Sequence, residues 1–78
     1  MTYRTRTEIT AAILRVTVDG ETRTKILYGA SLSYTQMVRY LADLTASGLI
    51  KYSKNDKTYR TTPKGLQFIA SYDKLIDL

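Results

Sequence analysis

LSYTQMVRYLADLTASGLIKYSKNDKTYRT, residues 32–61, carries three structural signals end to end. Ser33 stands three residues before Gln36, the spacing of a capping box: the hydroxyl accepts from the amide of the third helical residue, and the glutamine side chain returns to the cap's own amide. Met37, Leu41 and Leu44 then recur at helical spacing, with Val38 and Tyr40 at the margins, which predicts an amphipathic helix over residues 33–47. Gly48 is the residue type that ends a helix in the left-handed region. Beyond it the period changes to two. Residues 49–53 and 58–61 are rich in strand formers and enclose the polar tip Lys54-Asn55-Asp56-Lys57, which predicts a hairpin.

Working outward, Thr5 and Glu8 form another capping-box pair ahead of Ile9, Ala12, Ile13 and Val16, a stripe that predicts a first helix ending by Asp19-Gly20. Thr22 or Thr24 caps a short second helix, residues 25–30, with Ile26 and Leu27 inward and Gly29-Ala30-Ser31 as its turn. After the hairpin, Thr62-Pro63 reads as cap and first residue of a last helix, because proline has its fixed φ where no amide donor is needed. The expected architecture is mainly α (α+β): a winged helix-turn-helix with a three-helix core, a β-hairpin wing and a C-terminal fourth helix, residues 1–78 making one domain.

Composition narrows the chemistry. The 78 residues contain no Cys and no His, so disulfides and the usual zinc sets are excluded, and no metal or cofactor is expected. Seven acids without a histidine offer no convincing acid–base pair, and there is no glycine-rich phosphate loop, so the chain is read as a non-enzyme. The N-terminus lacks the apolar run of a secretory signal and no stretch approaches a membrane span, which predicts a cytoplasmic protein, associated with the nucleoid if DNA is its partner. Twelve Lys and Arg against seven Asp and Glu give a formal charge of +5, which favours a polyanionic partner.

In a helix-turn-helix the second helix enters the major groove, whose base edges carry a distinguishable donor and acceptor pattern. Residues 33–47 therefore supply the expected contacts: Thr35, Gln36 and Arg39 toward base edges, and Ser33 toward phosphate. Arg23 and Lys25 on the preceding helix, and Lys54, Lys57 and Arg60 on the hairpin, are expected to hold phosphates. If the hairpin closes around Asn55-Asp56, Tyr52 faces Tyr59, Lys51 faces Arg60 and Lys54 faces Lys57, and a phosphate between the like charges relieves their repulsion. Plainer readings stand beside these. Arg39 and Asp43 are spaced to pair on a solvated face, the hairpin cations can simply keep an exposed edge soluble, and Lys64 can touch phosphate or lie free. Tyr3, Arg4 and Arg6 are either a basic arm or a frayed end. The last helix carries Ile69, Tyr72, Leu75 and Ile76, a stripe that either closes the domain or joins two copies as a homodimer, the second being favoured.

The strings Arg6-Thr7-Glu8-Ile9, Thr24-Lys25-Ile26-Leu27-Tyr28, Leu32-Ser33-Tyr34, Tyr40-Leu41, Gly48-Leu49-Ile50 and Tyr59-Arg60-Thr61-Thr62-Pro63-Lys64-Gly65 resemble those of the small archaeal winged helix-turn-helix proteins. That resemblance implies double-stranded DNA as partner, with residues 33–47 as the recognition helix and 54–57 as the wing. Some relatives are chromosomal proteins that dimerise through a long C-terminal coiled coil, and others act as regulators; here the last helix, about 16 residues from Thr62, is too short for that coiled coil. The expected function is a DNA-binding transcriptional regulator. The alternatives are a protein-interaction module, or an architectural chromatin protein indifferent to sequence, built on the same fold.

Overall fold

A computed structural model describes residues 4–76 of the chain. Thr5 caps α1 (Arg6–Val16), accepting from the Glu8 amide while the Glu8 carboxylate accepts from the Thr5 amide. Ile9 and Ile13 are buried together with Leu14, and Ala12 and Val16 pack at the edge of the same core. Gly20, at φ +89°, then turns the chain, three residues after Thr17 has closed the helix.

The second helix, α2 (Arg23–Gly29), starts under Thr22 and so begins ahead of the predicted residue 25. Ser31, not a glycine, takes the left-handed conformation after it, at φ +53°. The Ser31 and Leu32 amides donate back to the Tyr28 and Leu27 carbonyls at 3.2 and 2.9 Å, the pattern of a Schellman closure. Gly29 serves a different end: a Cβ there would lie 3.1 Å from Val16 Cγ2, so its bareness lets α2 approach α1.

Ser33 and Gln36 form the predicted box at the start of α3 (Tyr34–Ala46), and Met37, Leu41 and Leu44 are its buried residues. Gly48, at φ +77°, ends it, with the Gly48 and Leu49 amides donating to the Thr45 and Leu44 carbonyls. β1 (Ile50–Ser53) and β2 (Thr58–Thr61) pair antiparallel as Ile50–Thr61, Lys51–Arg60, Tyr52–Tyr59 and Ser53–Thr58. The ladder stops there, so the expected Lys54–Lys57 pair does not form. The turn spans residues 54–57, with Lys57 itself left-handed at φ +57°; Asn-Asp is a weak two-residue turn, and Asp56 instead accepts from the Thr58 hydroxyl at 2.8 Å. On the outer side of β2, Glu21 and Tyr59 exchange both backbone hydrogen bonds, at 2.9 and 2.8 Å, adding an isolated bridge the sequence did not announce.

The last helix, α4 (Pro63–Ile76), is capped by Thr62, whose hydroxyl oxygen accepts from the Gly65 amide. Its inner face lies on α1 and β2, with Phe68 and Ile69 against the core and an Arg15–Asp73 ion pair bracing it to α1. Between α1 and β2 two buried threonines are joined: Thr61 donates to the Leu14 carbonyl at 2.7 Å, and its oxygen is 2.7 Å from that of Thr17. Leu14 is among the last residues of α1, so this satisfies a carbonyl that has no partner within the helix.

Candidate nucleic-acid interface

The geometry of α3 follows from its two ends. At the N-terminus, Ser33 accepts from the Gln36 amide at 3.1 Å, which leaves its hydroxyl hydrogen free to donate. At the C-terminus, the Ser47 carbonyl accepts from the Lys64 ammonium at 2.9 Å and the Gly48 carbonyl from the Thr62 hydroxyl at 2.6 Å. Lys64 is exposed, as the plainer reading has it, and one donor of its ammonium ties α4 to the end of α3.

The outward face of α3 presents Thr35, Arg39, Ala42 and Ala46, all exposed. Asp43 does not pair with Arg39. Its carboxylate accepts from Arg6 at 2.9 Å, and the Arg6 guanidinium also lies 5.4 Å from the centre of the Tyr40 ring. Among the described residues no carboxylate lies within ion-pair distance of Arg39, so its five donors face solvent. Arg6 is correspondingly not part of a free arm, and Arg4 donates to the Ser31 carbonyl at 2.7 Å; Tyr3 lies outside the described residues. Gln36 is half-buried and its side-chain oxygen accepts from the Ser33 amide at 3.0 Å, which leaves two donors and one lone pair of that oxygen. While it holds the cap, the side chain is turned back toward Ser33, away from the pose in which a glutamine grips adenine with oxygen and nitrogen together.

The remaining predicted cations surround this face unequally. Arg23 is exposed and lies at the rim of a groove between α3 and the hairpin. Lys25 sits 3.9 Å from the Glu21 carboxylate, a loose i,i+4 contact. Lys54 and Lys57 are exposed at the hairpin tip, and Arg60 stands on the strand face that also holds Lys51 and lies opposite Tyr52 and Tyr59. The Arg60 guanidinium rests over Gly20, 3.2 Å from where a Cβ would be, so that glycine makes room for it. Asp56 is the one acid of the tip, and the Thr58 hydroxyl, followed by that of Ser53, holds its carboxyl below the ordinary range. A depressed pKa contributes order above the unfolded value and loses it as pH falls through the folded one, so the turn keeps its charge pattern at neutral and mildly acidic pH.

The groove itself has a volume of about 490 Å³ and is walled by Val38, Ala42, Thr45 and Ala46 of α3 on one side and by Tyr52 and Tyr59 on the other. The tyrosine rings are 4.8 Å apart, as the cross-strand register requires. Sequence reasoning recognised that pair but missed its position against α3. The signal was available, because period two places Tyr52 on the same face as the buried Ile50.

The winged helix-turn-helix family matches residues 3–78. The chain belongs to that family. In its terms α2 and α3 are the helix-turn-helix pair and β1–β2 the wing, so the groove lies between the second helix of that pair and the wing. Among solved structures, a crystal structure of Sso10a-2, described as a DNA-binding protein from Sulfolobus solfataricus, is similar to this winged helix with a TM-score of 0.83. The two share 28% identity over 95% of this chain and 80% of that one. No curated protein matches the chain. No described helix is long and apolar enough to cross a membrane.

Proposed function

We propose that this winged helix binds double-stranded DNA, with α3 in the major groove and the wing along the backbone, and that it acts as a transcriptional regulator. The observation that carries the reading is Arg39: it stands on the solvent face of α3, and Asp43, the acid one turn on, pairs instead with Arg6. A merely solvated helix face would pair that arginine with the carboxylate one turn on. The similarity to a DNA-binding protein points the same way. Arg39 and Thr35 approach base edges, Gln36 contributes single donated hydrogen bonds, and Ser33, Arg23, Lys25, Lys54, Lys57 and Arg60 hold phosphates. A nucleoid-associated cytoplasmic location follows from that partner.

The test is fluorescence anisotropy of a labelled random-sequence duplex titrated with the protein at low and at moderate salt. Binding that falls steeply with salt supports the proposal, since each phosphate contact releases counterions. Absence of binding at low salt overturns it in favour of a protein-docking module. Equal affinity for every sequence would replace regulation by an architectural role.

A further inference from the structure

We infer that the groove between α3 and the wing reads the 5-methyl groups of thymine, so that the preferred DNA carries a T·A pair beside the pair contacted by Arg39. This inference rests on the DNA-binding reading above and sharpens it.

The α3 wall of the groove is Val38, Ala42, Thr45 and Ala46. Three of these have no polar side-chain atom. The fourth, Thr45, donates its hydroxyl to the Leu41 carbonyl at 2.6 Å, so its only donor is spent inside its own helix. The wall is nevertheless exposed, at Val38, Ala42 and Ala46 alike, on a helix whose inner face is already filled by Met37, Leu41 and Leu44. It is therefore an apolar surface left over from folding, flanked by Arg39 on the same helix and Arg23 at the rim, two cations that draw a polyanion onto it.

The only apolar group on the major-groove edges of the four bases is the thymine methyl. Set against the edge of guanine, adenine or cytosine, Val38, Ala42 and Ala46 would bury donors and acceptors and return no hydrogen bond, and Thr45 has no donor left to offer, which costs affinity. Set against thymine, it buries a methyl, and the short side chains of Ala42 and Ala46 leave the base edge room to approach. Spacing fixes which thymine. Ala42 lies three residues after Arg39, about 4.5 Å along the helix at 1.5 Å per residue. Stacked base pairs lie about 3.4 Å apart, so the two side chains address neighbouring pairs, a guanine for the bidentate arginine and a thymine for the alanine wall.

Deoxyuridine lacks the methyl and is otherwise thymidine, so it provides the test. The tightest-binding duplex recovered from a random pool is compared with its all-deoxyuridine counterpart by anisotropy at two salt concentrations. The expected result is a loss of about fourfold in affinity per methyl read, which is the equivalent of about 0.8 kcal/mol for a buried carbon, with the salt dependence unchanged. Ala42→Ser, which puts a hydroxyl on the wall at an exposed position, should bring the ratio between the two duplexes toward one. Equal binding of both duplexes by the unaltered protein, with a steep salt dependence, overturns methyl reading and leaves DNA binding standing. No binding to either duplex at low salt overturns both.

Discussion

Arg39 and Lys54 are both exposed cations, yet the proposed DNA binding gives them different work. Arg39 projects from α3, the helix proposed to face base edges, with no acid in reach among the described residues, whereas Lys54 sits at the wing tip outside the hydrogen-bonded ladder. Arg39→Ala should therefore cost roughly 1–3 kcal/mol on a preferred site and relax the preference at that position. Lys54→Ala should weaken binding to all sequences about equally and reduce the slope of log K against log salt by about one. Titrating both variants on a selected and an unselected duplex measures the two effects; equal losses on the two duplexes for both variants would dissolve the distinction. Asp43 supplies a control at the same scale. Because its carboxylate pairs with Arg6 at a site more than half exposed on both side chains, Asp43→Asn should change stability by well under 1 kcal/mol. It also removes a negative charge from the edge of the outward face of α3, so affinity for DNA should rise on every sequence, most at low salt.

At the scale of elements, glycines show where the sequence was legible and where it was not. Gly48 was read correctly as a helix stop, because capping box, apolar period and terminal glycine all lie within one local stretch. Nothing lies within 4 Å of a Cβ built there, so Gly48→Ala carries only the left-handed backbone cost, about 1 kcal/mol. Gly65 gave no such signal. It lies within α4, where glycine is a poor helix former, and its reason is a contact distant in sequence: a Cβ would collide with the Leu49 carbonyl oxygen and come within 2.6 Å of Thr61 Cγ2. Gly65→Ala should cost several times as much, about 3 kcal/mol, because the obstacle is backbone and cannot rotate away. In thermal melts of a domain this size, about 1 kcal/mol moves Tm by 4–8 °C, so the two variants are easily separated. Comparable shifts would mean that α4 can slide on the hairpin. Gly29 against Val16, the Thr17–Thr61 pair and the Lys64 contact to Ser47 were unreadable for the same reason. Each satisfies or relieves a group that only tertiary packing brings near. The candidate site divides the same way: the facing of α3, the Ser33–Gln36 box and the Tyr52–Tyr59 register followed from local spacing, whereas the partner of Asp43 is Arg6 on α1, which only tertiary packing brings near.

For the whole molecule, α4 poses the remaining question. Its inner residues Phe68 and Ile69 are packed against the core and Tyr72 is half-buried, which gives the helix the domain-closing role. Leu66 in the first turn of α4 and Leu75 and Ile76 at its far end are left exposed at 48%, 68% and 61%, apolar surface that the domain itself does not cover. We propose that two copies join through this strip, with Leu75 and Ile76 at its centre and Ile69 and Tyr72 at its inner margin. The longest dimension of the protein is 40 Å, close to the roughly 34 Å between successive major grooves on one face of a duplex, so a two-fold pair is of the right size to span two half-sites. Sedimentation equilibrium should then find a dimer that the double substitution Leu75→Glu and Ile76→Glu converts to a monomer. Both positions are solvent-exposed, so circular dichroism of that variant should retain its helix content. On DNA, the unaltered protein should bind a duplex of about 20 base pairs far more tightly than one of about 10, whereas the double variant should bind both alike, because linked half-sites gain by effective concentration. A monomeric unaltered protein that still prefers the longer duplex would assign the exposed strip to contacts made along DNA and not to a pre-formed dimer.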